Sequence, residues 1–172
     1  MELRQGNPWP ELFRQAKRSA FHLEVRDTYA VPSESDPFRR FLDGAQIEKD
    51  RFLSRPWIDL VRQTAGRGVG VSRVRVVTVP HSDYQRWLLS VTGGNVEAGE
   101  DIRYLPRHAA GTVPPDDFWL FDDRLVGFNL TDHDGKPVGA AVTTDPGIAA
   151  YCGGVRDRLW EIAIPYADYI DR

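Results

Sequence analysis

VGVSRVRVVTV, residues 69–79, is the most strand-like run in the chain, nearly continuous in β-branched side chains. Such content suits a central strand covered on both faces, as parallel sheets require. Strand side chains alternate, so Arg73 and Arg75 share one face of it. Helical patterns stand on either side. Upstream, Pro56 fits a first helical position, Trp57, Leu60, Val61 and Thr64 form a stripe, and Gly66 and Gly68 can stop the helix. Downstream, Ser82 and Gln85 make a capping box before Tyr84, Trp87, Leu88 and Val91, with Gly93-Gly94 as the expected end. Alternation of helix, strand and helix predicts an α/β domain with a mixed sheet flanked by helices, α+β being the other arrangement the pattern allows.

FHLEVRDTY, residues 21–29, is the second informative stretch. Phe21, Leu23 and Val25 alternate with His22, Glu24 and Arg26, the pattern of a strand with one face on the core. The polar side is expected to pair Glu24 with Arg26 or with the Arg73/Arg75 strand. An exposed pair of that kind is worth about 0–1 kcal/mol, so Glu24→Gln should scarcely disturb the fold. His22 and Glu24 stand about 7 Å apart along a strand, too far to bond directly.

The rest of the chain supplies further elements. Pro10–Lys17 reads as a short helix with Leu12, Phe13 and Ala16 inward. Residues 30–37 carry turn chemistry, Phe38, Phe41 and Leu42 fall at helical spacing, and GAQIEKDR (44–51) reads as a polar connection. IRYLP (102–106) is a short strand, RHAAGTVPPDD a loop, and FWLFDDRLVGFNL two strand segments around Asp122-Asp123. Asp134-Gly135 marks a hairpin tip before the strand VGAAVTT. From Pro146 to about Ile164, the positions Ile148, Cys152, Val155, Leu159 and Ile162 predict a closing helix. Gly153-Gly154 in its middle costs about 1 kcal/mol per glycine, so packing must hold it.

Bulk properties narrow the function classes. The 172 residues are one domain by size, and 41% hydrophobic with 27% charged content is that of a folded globular chain. No apolar run approaches the roughly 20 residues of a membrane helix, and the N-terminus has no secretory pattern. One cysteine, Cys152, excludes a disulfide framework and multi-cysteine zinc sites. These features predict a cytoplasmic protein. Formal charge is +4 over residues 1–75 and −7 over residues 76–172, together the −3 of the whole chain. The overall field therefore opposes nucleic acid, and direct nucleic-acid binding is not expected.

Motifs with chemistry are sparse. His22, His81, His108 and His133 show no ligand spacing, and HExxH, CxxC, GxSxG and the Walker lysine are absent. No metal or cofactor is expected. Cys152 falls on an apolar stripe, where a thiol behaves as a small hydrophobe. Asp116, Asp117, Asp122 and Asp123 invite a magnesium reading. The strand between the pairs and the alternation within each pair favour turn and strand-end roles.

Blocks along nearly the whole chain resemble domain-of-unknown-function family 6879, an actinobacterial family: FHLEVRDTY, PFRRFL, RPWIDLVRQ, VSRVRVVTVPHSDYQRW, NVEAGEDIRYLP and DDFWLFDDRLVGF, with LWEIAIPYADY at the end. That family carries no established activity, and its members are commonly encoded near helix-turn-helix regulators, which implies a regulatory association. The chain is also distantly similar to one half of the phospholipase D fold, whose signature is H-x-K-x4-D. Asp122 takes the aspartate position, but Pro115 stands for the histidine and Asp117 for the lysine. With nucleophile and phosphate-binding cation both lost, the resemblance implies a phospholipase D-like half without its catalytic motif.

The expectation is a non-catalytic binding or regulatory module, its partner a helix-turn-helix regulator or another small protein. The alternative is a small hydrolase or transferase using His22 and Glu24, with arginines holding an anionic substrate. His22, Glu24, Arg26, Arg73, Arg75, Glu100, Arg103 and Asp122 are the candidate ligand- or partner-binding residues, with no catalytic residue assigned. The partner's identity, the oligomeric state and the strand order stay open.

Overall fold

The computed structural model describes residues 1–44 and 55–171. Most of the connection expected over residues 44–51 lies outside the described residues. One eight-stranded sheet organises the molecule. Its strands are β1 (Glu2–Gln5), β2 (Ser19–Glu24), β3 (Gly70–Val77), β4 (Glu100–Pro106), β5 (Phe118–Phe121), β6 (Leu125–Thr131), β7 (Pro137–Thr143) and β8 (Ile164–Pro165). They are ordered β1-β7-β6-β5-β2-β3-β4-β8. β2, β3 and β4 run parallel, and every other neighbouring pair is antiparallel. The valine-rich run is thus central, with strands on both sides. The architecture is mixed α/β, as the alternation predicts.

The helices are α1 (Trp9–Gln15), α2 (Ser35–Leu42), α3 (Arg55–Gly66), α4 (Asp83–Val91), α5 (Gly93–Glu97), α6 (Pro146–Ile162) and α7 (Tyr166–Tyr169). Among the described helices, α6 covers one face of the sheet. Its Ala149, Cys152, Val155 and Leu159 pack on Phe21, Leu23, Val74, Val76, Phe118, Leu120 and Val126. Asp145 starts this helix by accepting the Ile148 N–H at 2.9 Å. Gly153 and Gly154 look into open space, so a methyl group there would meet nothing.

The other face is shared. Leu12 and Phe13 of α1 and Trp57 and Leu60 of α3 pack on Ala20, Val71, Trp119 and Phe121. Tyr84, Trp87, Leu88 and Val91 of α4 meet Phe38 and Phe41 of α2. α4 begins as its capping residue predicts: Ser82 Oγ accepts the Gln85 N–H at 3.2 Å. The reciprocal half of the box is missing, because the Gln85 amide donates instead to Arg26 O and Asp27 O.

Several expectations change. Gly93-Gly94 opens α5 instead of ending the helical stretch. The turn chemistry of residues 30–37 gives way at Ser35 to α2. Leu42 and Ile162 are exposed, beyond the reach of the clusters their stripes serve, and Trp57 is only partly buried. β1 and β8, short strands with few β-branched residues, were not legible as strands.

Candidate functional site

The largest correction concerns the polar row of β2. Residues 19–24 are a strand, but both of its sides are buried: His22 is 5% exposed and Glu24 8%. The row faces α3, α4 and α5, not solvent. Parallel register sets it against the arginines, with His22 beside Arg73 and Glu24 beside Arg75, and Arg75 in turn beside Tyr104 of β4. Alternation then puts His22, Glu24, Arg73, Arg75, Glu100, Ile102 and Tyr104 on one face.

Glu24, Arg73, Arg75, Glu100 and Tyr104 form a network that Thr92 and Asn95 join. Both oxygens of Glu24 are engaged, Oε1 by Arg73 Nη1 and Oε2 by Arg75 Nε at 2.5 Å. Arg73 Nε donates to Glu100 Oε1 at 2.6 Å, and Asn95 Nδ2 donates to Glu100 Oε2 at 2.9 Å. Arg75 Nη1 donates to Thr92 Oγ1 at 2.8 Å and Tyr104 Oη at 2.9 Å. The Arg73 guanidinium lies 5.8 Å from the Trp57 ring centre and 5.7 Å from that of Trp119. Two carboxylates thus face two guanidiniums, and the formal charges cancel.

Electrostatics follow from this packing. Burial works against the charge on Glu24, but Arg73 and Arg75 overcome it and hold the carboxyl far below the usual carboxylate range. His22 goes the other way. Burial, reinforced by Arg73, keeps its imidazole neutral at ordinary pH. The ring stacks on Trp119 at 4.2 Å and 10°. Its Nδ1 reaches 3.5 Å from Glu24 Oε1, and neither nitrogen has a hydrogen-bond partner among the described residues.

The remaining candidates scatter. Arg26 donates to Thr131 Oγ1 at 2.9 Å and takes no part in holding Glu24. Arg103 is on the opposite face of β4, its guanidinium 3.9 Å from the Trp160 ring centre. Asp122 follows β5 in a turn where it and Asp123 have φ of 53° and 58°. Its carboxylate accepts the backbone N–H groups of Lys17, Arg18 and Ser19, clasping the start of β2. Asp117 stands before β5, accepting from Val25 N and Tyr29 Oη at 2.7 Å each. Burial pushes Asp117 up to about 6 despite those two donors. The motif positions 117 and 122 therefore flank β5, roughly 15 Å apart by strand rise, and do not converge.

Thr92, Asn95, Tyr104 and Trp119 belong to the site and were not singled out from the sequence. Tyr104 lies in the IRYLP strand, and only the pairing of that strand with β3 brings it beside Arg75. Cys152 behaves as the stripe predicts, fully buried, its thiol pushed up to about 11 by burial. Asp132, His133 and Asp134 could converge on a cation, but they sit in an ordinary turn where Asp132 accepts the N–H groups of Asp134 and Lys136.

The mixed α/β fold is similar to the phospholipase D fold. The chain belongs to the family of the domain of unknown function DUF6879, matched over residues 7–171. No curated protein matches it in sequence. Among solved structures, it is similar to Nuc, a phospholipase D family member from Salmonella typhimurium, at 12% identity and a TM-score of 0.53, covering 96% of this chain and 97% of that one. It is also similar to TrmBL2, an archaeal chromatin protein with a novel mode of DNA binding, at 14% identity and a TM-score of 0.54. That match covers 95% of this chain but 52% of TrmBL2, so the chain spans about half of that protein's length. No helix of the described residues is long and apolar enough to cross a membrane.

Proposed function

We propose that this protein is a non-catalytic binding module of a bacterial regulatory system, acting in the cytoplasm beside a helix-turn-helix regulator. One observation carries the reading: the charged groups at the sheet centre, Glu24, Glu100, Arg73 and Arg75, are paired with one another. A general base needs a free lone pair and a proton affinity near the working pH. Glu24 is held far below that range by the two guanidiniums on its oxygens, and burial against Trp119 lowers the proton affinity of His22 as well. This weighs against His22 and Glu24 as the acid–base pair of the hydrolase or transferase alternative.

A partner must then use the outer surface. A groove of about 540 Å³ between the end of α1 and the start of β3 is lined by Arg14, Lys17 and Arg67. Arg67 is braced by donating to Phe13 O at 2.8 Å. This basic rim suits an acidic segment of the regulator.

The test is affinity purification from the native host, with and without the neighbouring regulator gene, using wild type and Arg14→Glu/Lys17→Glu. Wild type should retain the regulator and the double variant should lose it. Equal recovery by both would remove the groove from the interface, and no recovery by either would sink the regulatory reading. Purified protein should not hydrolyse bis(p-nitrophenyl) phosphate. Turnover that disappears in Asp122→Asn would restore an enzymatic one.

A further inference from the structure

Among the described residues β1 is the outermost strand of the sheet, with no strand beside its far edge. The Gly6 N–H donates to Val138 O at 2.9 Å. Main-chain groups of alternate residues turn the same way in an antiparallel ladder, so Glu2 and Arg4 face β7 with their backbones. The N–H and C=O groups of Leu3 and Gln5 consequently point to the open edge. Leu3 is 73% exposed, an apolar side chain beside a row of open donors and acceptors. β1 carries no proline or bulge, and what guards its edge is its four-residue length and the charges of Glu2 and Arg4.

The charges decide what fits there. Glu-Leu-Arg, residues 2–4, is its own complement when read antiparallel about Leu3. In that register Leu3 meets Leu3 of a second copy as a hydrogen-bonded pair, which is the phase its outward N–H and C=O demand. Glu2 then meets Arg4 of the second copy, and Arg4 meets its Glu2. Opposite charges in directly facing positions favour a strand pair, and like charges oppose it. Within one chain Glu2 and Arg4 already lie 3.2 Å apart on one side of β1, the side where cross-strand pairs would form, and Arg4 there also reaches Glu11 at 3.7 Å, so the Glu2 of a second copy would share that guanidinium.

We propose that two copies of this chain pair through β1, antiparallel and centred on Leu3, into one continuous sheet with an isologous two-fold interface. An interface resting on so short a strand belongs to the small class, below about 1,200 Å², so association is weak and concentration-dependent.

Sedimentation equilibrium of the full chain from about 1 µM to about 1 mM tests it. Wild type should pass from monomer to dimer across that range. Glu2→Arg alone and Arg4→Glu alone should each weaken association by about tenfold or more. Leu3→Lys should do the same, at a position too exposed to affect the core. Mixing the two single charge variants should recover a dimer that neither forms alone, and Glu2→Arg/Arg4→Glu together should dimerise like wild type. Recovery on mixing shows that both variants are folded. A wild type that stays monomeric throughout overturns the proposal. Single variants that associate as wild type does, or a mixture that recovers nothing, overturn it equally.

Discussion

The face of the sheet under α6 and the face under α3, α4 and α5 are built from alternating residues of the same strands, yet their fillings differ in kind. Under α6 the buried side chains of β2, β3 and β5 are Phe21, Leu23, Val74, Val76, Phe118 and Leu120, and the helix answers with alanine, cysteine, valine and leucine. Under the other helices β2 and β3 turn His22, Glu24, Arg73 and Arg75 inward. Apolar burial is graded, each methylene adding its share. A buried ion-pair network is not. Intact, it roughly balances desolvation against attraction, whereas removing one member leaves its partner charged and dry. One face supplies stability; the other, on this view, specifies the register in which three parallel strands must meet.

The largest effect should therefore come from the polar face. Glu24→Gln leaves Arg73 and Arg75 without their shared counter-charge and should cost about 3–5 kcal/mol in urea unfolding. This reverses the expectation for an exposed pair, and a loss under about 1 kcal/mol would mean that water reaches the network. Next, Leu23→Ala opens a cavity against α6 and should cost about 2–5 kcal/mol with no dependence on salt. Equal salt dependence at Leu23 and Glu24 would erase the distinction between the faces.

Asp117 sharpens the comparison through pH. Its folded-state value of about 6 lies above its ordinary one. The native state therefore binds this proton more tightly than the unfolded chain, and the stabilisation is present below about pH 4 and lost as pH rises through about 6. Relative to Asp117→Asn, wild type should lose stability across that window, by at most about 1.4 kcal/mol per pH unit. Parallel stability curves for the two proteins would contradict the burial of this carboxyl. The smallest effect has the opposite sign. Gly153→Ala and Gly154→Ala, on the open side of α6, should each stabilise by about 0.5–1 kcal/mol in thermal unfolding. Destabilisation would show that this side of the helix is covered.

Much of the fold could be read from the residues, because β3, α3, α4 and α6 carry strong periodicity and clear caps. The polar row was legible in composition but not in placement. A strand that alternates charge with hydrophobe ordinarily has a wet side, and nothing local in FHLEVRD says otherwise. The resolving clue lay in another element: a strand as apolar as β3 sits at the sheet centre, so Arg73 and Arg75 could only be buried. Buried arginines need carboxylates, and the parallel neighbours offered Glu24 and Glu100. Thr92 and Asn95, in contrast, reach the network through the α4–α5 junction, where Gly93-Gly94 reads as a stop and continues as helix. That geometry is tertiary and has no periodic signal.

The position of β5, wedged beside β2, bears on how the chain is made. Lys17 and the Asp122 that holds its amide are 105 residues apart. While the ribosome is still extending the chain past β4, the parallel strands β2, β3 and β4 can already associate, but β2 shows a bare and largely apolar flank. Only when Phe118–Phe121 emerges can that flank be covered and the clasp of Asp122 close over residues 17–19. A nascent chain paused in this interval offers an unpaired edge to its neighbours, which is the condition under which strands aggregate. The sheet then grows outward from β5 through β6 and β7, with β8 added last at the opposite edge, so the arrival of the β5–β6 hairpin sets how long the edge of β2 stays open.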